Sequence, residues 1–120
     1  MNVLENRSIV LKAFSLNVKG SDAERGKLLT TKAIESGYVS ARDPVSGAML
    51  QKWLKAKEAP AWAYNTSLVI LLDKGWSPQS EDEWNGLIVT LEKMNDRGTI
   101  INLMRNSVLE DYRYRVQSFE

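Results

Sequence analysis

The stretch from Ser46 to Pro60 reads SGAMLQKWLKAKEAP and predicts an amphipathic α-helix. Its apolar residues recur at the i, i+1, i+4, i+5 spacing that places side chains on one side of a helix: Met49, Leu50, Trp53 and Leu54. Its polar residues fall largely on the other side: Ser46, Gln51, Lys52 and Lys55. Any amphipathic surface helix shows this pattern, so the stretch alone predicts a packed apolar side and a cationic side that faces solvent.

Helical periodicity continues on both sides of this stretch. Apolar stripes predict further helices over about 6–16, 21–36, 61–74, 80–98 and 99–109. The inward residues expected for the first two are Ile9, Val10, Ala13, Phe14 and Leu16, and then Leu28, Leu29, Ala33 and Ile34. Glycines that end helices follow several of these segments, at Gly20, Gly37, Gly75 and Gly98.

Two helix starts have recognisable capping signals. Ser80 with Glu83 matches a capping box, which accounts for the acidic run at 81–83 as a helix start. The helix in the 46–60 stretch begins either at Asp43-Pro44, with proline in the first turn, or at Ser46.

The segment TSLVILL at 66–72 fits either a buried strand or a buried helix. We favour the helix, because AWAY extends the apolar pattern upstream and Gly75 with Ser77-Pro78 ends it as a helix is ended. The sequence therefore predicts an all-α fold, a compact bundle of about five or six helices in a single domain over 1–120.

Composition limits the functions open to this chain. Its 120 residues are 43% hydrophobic, which is enough for one core, and it contains no cysteine and no histidine. Disulfides, thiolate chemistry and histidine catalysis are thereby excluded. The sequence contains neither the Walker-type motif GxxxxGK(S/T) nor the motif GxGxxG, the two glycine-rich loops that bind phosphates. We expect no catalysis, no cofactor and no metal. A hydrolase would need a Ser-Lys or carboxylate arrangement that the sequence does not indicate.

The apolar segments are too short for membrane insertion. The longest uninterrupted candidate is Leu68 to Leu72, and the first residues do not resemble a secretory signal. We expect a soluble, cytoplasmic protein with no membrane contact.

The charges divide unevenly along the chain. Residues 1–57 carry ten basic and five acidic side chains, whereas residues 58–120 carry six basic and ten acidic ones. This division is typical of a protein in which one part approaches phosphates and the other does not, since clustered Lys and Arg drive salt-dependent nucleic-acid binding.

The run from about Lys27 to Trp76 resembles the helix-turn-helix of phage and plasmid repressors of the lambda-repressor/Cro-like type. The resemblance lies in a first helix KLLTTKAIES, a second helix ending in KWLKAKEAP with its Trp-Leu pair and proline-containing turn, and a closing apolar helix. The chain departs from that pattern in one respect, because the longer segment GYVSARDPV replaces the usual tight turn.

The resemblance implies a sequence-specific, double-stranded DNA-binding regulator of a mobile genetic element, with its DNA-binding part within 1–76. It places six residues toward the major groove: Ser46, Gly47, Ala48, Gln51, Lys52 and Lys55. It places Arg42 and Lys57 toward flanking phosphates. Glutamine can pair with adenine and lysine with guanine or phosphate. The lysines can equally form an ordinary solvated face, and Arg42 can pair with Asp43 or Glu35.

Residues 77–120 have two possible roles, homodimerisation or closure of the monomer's own core. Six apolar side chains are candidates for either role: Ile88, Leu91, Ile100, Ile101, Leu103 and Met104. We expect the regulator to bind as a homodimer, because a two-fold dimer reads two half-sites. The end of the chain, Tyr112 to Arg115, is expected to fray, with a phosphate-contacting arm as the alternative.

The chain also contains four tryptophans: Trp53, Trp62, Trp76 and Trp84. We expect Trp53 to belong to the core, because its neighbours in the stripe are aliphatic. Tryptophan is nevertheless enriched at binding hot spots. The alternative function is therefore a small helical protein-interaction module, an inhibitor or antitoxin-like partner that binds another protein through a Trp-rich surface.

Overall fold

Seven α-helices make up most of the part of the chain that the structure, a computed structural model, describes: the backbone of residues 3–117 and the side chains of residues 7–117. They are α1 (Val3–Asn17), α2 (Asp22–Glu35), α3 (Gly47–Ala56), α4 (Ala61–Asp73), α5 (Glu81–Glu92), α6 (Arg97–Ile101) and α7 (Asn106–Gln117). Residues 3–117 contain no strand, which confirms the all-α prediction. None of the helices described within 3–117 is both long and apolar enough to cross a membrane.

Serine side chains cap three of the helices. Each accepts a hydrogen bond of 3.1 Å from the backbone amide three residues on: Ser21 at α2, Ser46 at α3 and Ser80 at α5. A side-chain hydrogen bond to an amide that has no partner inside the helix typically stabilises the helix by about 1 kcal/mol. Of the two starts considered for the third helix, the structure has the one at Ser46.

The capping box predicted at Ser80 is only half formed. Ser80 caps α5, but the carboxylate of Glu83 accepts its hydrogen bond from the amide of Gln79 at 2.7 Å. The reciprocal pair occurs at α2 instead, where Glu24 Oε1 accepts from the Ser21 amide at 3.2 Å. These hydrogen bonds lower the pKa of Glu24.

The core forms where α1 packs against α4 and α5. Residues 66–72 of α4 are buried all round, which explains why this segment also resembled a strand. The hydroxyls of Thr66 and Ser67 donate to carbonyls one turn back, at 2.6 and 2.7 Å, so these polar groups are satisfied inside the core. The largest fully buried side chains include Phe14, Leu11, Tyr64, Leu68, Leu87 and Leu91.

A buried arginine joins α1 to α4. The guanidinium of Arg7 lies 4.8 Å from the centre of the Tyr64 ring, and the residue is almost wholly buried. Burial is the main cause that lowers the pKa of Arg7 and raises that of Tyr64. The Tyr64 hydroxyl in turn accepts a hydrogen bond from the Ala59 amide at 2.8 Å, which fixes the turn between α3 and α4.

The connection between α2 and α3 runs back along α2. Thr30 Oγ1 donates to the Gly26 carbonyl at 2.8 Å and accepts from the Val45 amide at 2.9 Å. A Cβ on Gly26 would collide with the Val45 carbonyl, and a Cβ on Gly47 would lie 3.1 Å from the Ala23 nitrogen. As a result, α3 starts beside the N-terminal half of α2 and not after a tight turn at its C-terminal end.

Four residues predicted to face inward are exposed. The exposed fraction of Leu16 is 74%, and Leu28, Ile34 and Met49 are also exposed. In α2 the buried side is made by residues 26, 29, 30 and 33, whose spacing of 3 and 4 defines a narrower stripe than the predicted one. Where two apolar residues are adjacent in a helix, as Leu28 and Leu29 are, only one of them can lie at the centre of the buried side.

The C-terminal helices differ from the prediction in their boundaries. The fifth helix ends at Glu92 and not near Gly98, and the predicted sixth helix is divided into α6 and α7. Between them, the amides of Leu103 and Met104 bond to the carbonyls of Ile100 and Ile101 at 3.0 Å, forming a tight turn.

The prediction that Tyr112 to Arg115 fray is wrong, because these residues belong to α7. Arg115 donates to both carboxylate oxygens of Glu81, at 2.9 and 3.0 Å, and to Asp111 at 2.9 Å, while its guanidinium lies 4.6 Å from the centre of the Trp84 ring. Its hydrogen bonds lower the pKa of Glu81. This guanidinium is therefore engaged by carboxylates, which leaves it poorly suited to act as a phosphate-contacting arm.

Most of the side chains considered for a dimer seam belong to the monomer's own core. The core cluster contains Ile88, Leu91, Ile100 and Met104, and Ile101 and Leu103 pack against it half-buried. Of the two predicted roles, core closure is the one that the structure has for Ile88, Leu91, Ile100 and Met104. The reason is that α5 packs against α1, so both parts of the chain contribute to one core.

Candidate nucleic-acid interface

The third helix lies on the surface with its apolar side inward. Leu50 is fully buried, and Trp53 and Leu54 are half-buried against the core. Ala48, Gln51, Lys52 and Lys55 are exposed. The side predicted to face solvent therefore does so, while Trp53 anchors the helix only partly.

Three lysines on or just after α3 have no acidic partner among the described side chains. Lys52, Lys55 and Lys57 are exposed, and none lies within ion-pair distance of a carboxylate among the residues described. Lys57 is the C-cap, with a left-handed φ of 54° and its amide bonded to the Trp53 carbonyl. Lysines near a helix C-terminus complement the helix dipole, so Lys55 and Lys57 also have a local structural role.

Lys12 enlarges this group, and the sequence did not indicate it. It lies on α1 and lines a groove of about 540 Å³ together with Lys55, Lys57 and Asp82 from the start of α5. We call Lys12, Lys52, Lys55 and Lys57 the cationic surface. No local pattern could have revealed Lys12, because the packing of α1 against α3 brings it there.

Gln51 is exposed but already hydrogen-bonded. Its Nε2 donates to Asp22 Oδ2 at 2.7 Å, and Asp22 also accepts from Arg25 at 3.0 Å. Arg25 is fixed in turn by its Nε hydrogen bond to the Val18 carbonyl at 2.7 Å. To pair with a base, the Gln51 amide would first have to leave Asp22.

Two of the residues predicted to face the groove have structural roles. The Ser46 hydroxyl accepts the Met49 amide as the cap of α3. Gly47 is half-buried and lies where α3 approaches Asp22 and Ala23 closely. That these two residues face a partner stays a prediction: the start of α3 packs on α2, while Ser46 itself is exposed.

Arg42 is held beside α3 by an aromatic side chain. Its guanidinium lies 5.2 Å from the centre of the Trp62 ring, and its Nε donates to the Asp43 carbonyl at 3.1 Å. Trp62 contacts Trp53 edge to face, with ring centres 5.9 Å apart and an angle of 82°. The alternative carboxylate pairing with Asp43 or Glu35 is not formed. Stacking leaves the charge of Arg42 next to the third helix.

Acidic residues are not gathered into a metal site in the part of the chain that is described. Within 3–117, no group of three or more Asp and Glu side chains is arranged to hold a metal ion. Comparison with known protein families, curated proteins and solved structures finds no match to this chain.

Proposed function

We propose that this protein is a regulator that binds double-stranded DNA through the cationic surface. The observation that supports this most directly is the set of exposed lysines on α3, which have no carboxylate partner among the described residues. Such lysines can exchange condensed counterions for DNA phosphates, and the released ions provide most of the affinity. The resemblance to phage and plasmid repressors is the reason for proposing gene regulation in a mobile genetic element.

The dimensions of α3 suit a DNA groove. An α-helix with its side chains is about 10 to 12 Å across and the major groove is about 12 Å wide, so the ten residues of α3 can lie in the groove. Lys52 and Lys55 are three residues apart and occupy one side, with Arg42 stacked nearby on Trp62. In this proposal the lysines contact phosphates, and Arg42 contacts a flanking phosphate.

Base recognition would depend on Ala48 and Gln51. The Ala48 methyl group can contact thymine, and the Gln51 amide can pair with adenine. The hydrogen bond between Gln51 and Asp22 must break first, so we expect phosphate contacts to dominate the affinity and base discrimination to be modest. A homodimer would add a second half-site, and its contact surface would have to lie outside the buried core residues of α5 and α6.

The central experiment measures DNA affinity as a function of salt. A labelled 30-base-pair duplex is titrated by fluorescence anisotropy at several salt concentrations, and the contacts of four lysines and Arg42 predict a slope of log K against log salt of about −4.5. Combined substitution of Lys52, Lys55 and Lys57 by Ala should reduce the steepness of that slope by about 2.7.

The matched control is the combined substitution of Lys27, Lys74 and Lys93 by Ala. These lysines are exposed and lie outside the cationic surface, so the control removes the same charge. Equal loss of affinity in both triple variants, or no salt-dependent binding by the parent protein, would overturn the proposal. Selection from a randomised duplex library tests sequence specificity separately, and a library that is not enriched would contradict it.

A second candidate function is the binding of another protein, and one observation favours it. Trp53, Trp62 and Arg42 form a half-exposed aromatic and cationic cluster of the kind enriched at hot spots. Under this hypothesis, replacing Lys52, Lys55 and Lys57 by Ala should leave the activity of the protein in the host cell intact. Substitution Trp62→Ala should abolish it while circular dichroism shows an unchanged helix content.

A further inference from the structure

A groove runs between α1, the C-terminal end of α3 and the first turn of α5. Its volume of about 540 Å³ lies within the range of about 300 to 1,000 Å³ typical of small-molecule sites. Along α1 it extends from Ser8 to Leu16, which is about 12 Å at the helical rise per residue. A groove of this length fits a small molecule.

The groove combines apolar and cationic walls. Its apolar side chains are Ile9, Leu16 and Leu54, and the exposed fraction of Leu16 is unusually high for a leucine. Lysines line the same groove from two helices and the residue that caps one of them: Lys12, Lys55 and Lys57. A ligand that fits both features has an apolar tail and a negatively charged head.

The charges that face the groove favour an anion. Among the described residues that line the groove, three lysines oppose the single carboxylate of Asp82, and none of them lies within ion-pair distance of it. The lysine ammonium groups therefore remain available to a ligand. Asp82 reduces the attraction without cancelling it.

We propose that this groove binds a medium-chain aliphatic carboxylate. The carboxylate lies among Lys12, Lys55 and Lys57, and the chain lies along Ile9, Leu16 and Leu54. This site is separate from base reading by α3, although it shares Lys12, Lys55 and Lys57 with the cationic surface. The inference does not depend on DNA binding, because it is tested on the protein alone.

Calorimetric titration with carboxylates of six, eight and ten carbons tests the proposal. Each added methylene group should raise the affinity by about fourfold until the groove is filled. The matched cation, octyltrimethylammonium, should not bind, because its head group carries the charge of the lysines. Amide shifts in the NMR spectrum of the labelled protein should cluster at the groove.

Three single variants locate the site. Lys12→Glu should weaken octanoate binding by about tenfold or more, because an attractive charge becomes repulsive. Asp82→Asn should strengthen binding, a gain that misfolding cannot produce. Lys93→Glu changes the net charge as Lys12→Glu does but lies outside the groove, and it should leave the affinity unchanged.

Several outcomes would overturn the proposal. These are equal binding of octanoate and octyltrimethylammonium, equal effects of Lys12→Glu and Lys93→Glu, unchanged or weaker binding in Asp82→Asn, and no binding at any chain length. Octanoate binding by a protein that does not bind DNA would support this proposal while refuting the function proposed above. The two proposals can therefore fail independently.

Discussion

Substitution Thr30→Val tests how the connection between α2 and α3 is held. Valine has almost the shape of threonine, so the buried site stays filled while the hydroxyl is lost. In the parent protein that hydroxyl accepts the hydrogen bond of the Val45 amide at 2.9 Å, and Val45 is itself buried. The variant leaves this amide without its acceptor in a place that water does not reach.

The expected cost follows from the desolvation of one buried amide. A buried donor that loses its partner destabilises the native state by about 1 to 3 kcal/mol. With a urea m-value of about 2 kcal/mol/M for a domain of this size, a loss of about 2 kcal/mol lowers the unfolding midpoint by about 1 M. The m-value itself should not change.

Thr90→Val is the matched control, because Thr90 is also a buried threonine but its hydroxyl, unlike that of Thr30, makes no hydrogen bond to a described residue. Thr90 is fully buried, and its Oγ1 has no hydrogen-bond partner among the described residues. Replacing it removes a polar atom that is already unsatisfied, so the stability should stay the same or increase. Tryptophan fluorescence in urea measures both variants. Equal shifts of the two midpoints would refute the argument that the hydrogen bond to Val45 holds the connection.

Three further predictions concern other contacts. Gly26→Ala should lower the free energy of unfolding by about 1 to 2 kcal/mol, because a clash with the backbone of the connection outweighs the gain in helix propensity. Gly98→Ala, where a Cβ meets open space, should not destabilise, and urea unfolding compares the two. Burial and the 2.6 Å hydrogen bond that its hydroxyl donates to Asp96 raise the pKa of Tyr38. The resulting contribution to the free energy of unfolding is complete below pH 10 and is lost as the pH rises toward the folded pKa. Tyr38→Phe should therefore reduce the loss of stability at alkaline pH, measured as the free energy of unfolding against pH. Arg115→Ala should speed hydrogen exchange in α7 at neutral pH, and the difference should shrink as the pH falls through the lowered pKa of Glu81.

Local signals predicted most helix positions. The serine caps and the helix-ending glycines act within one turn, so the starts of α2 and α5 could be read from short windows of sequence. The end of α7 could not. Arg115 pairs with Glu81, which is 34 residues earlier in the chain, and no local pattern reveals such a partner.

The candidate site was only partly predictable for the same reason. Periodicity indicated that Lys52 and Lys55 face outward, and the structure has them exposed. It could not indicate that Asp22 holds Gln51 or that Trp62 holds Arg42, because both partners come from other helices. Residue type and spacing identify a face, whereas the partners on that face depend on tertiary packing.

The packing of α1 against α5 has a consequence for synthesis on the ribosome. The residues of α1 are synthesised first, but α5, which packs against them, is complete only when Glu92 has been added. At about 5 to 20 residues per second, the 75 residues from Asn17 to Glu92 take roughly 4 to 15 s. We expect Leu11 and Phe14 to stay accessible to chaperones until α4 and α5, which both pack against α1, have emerged.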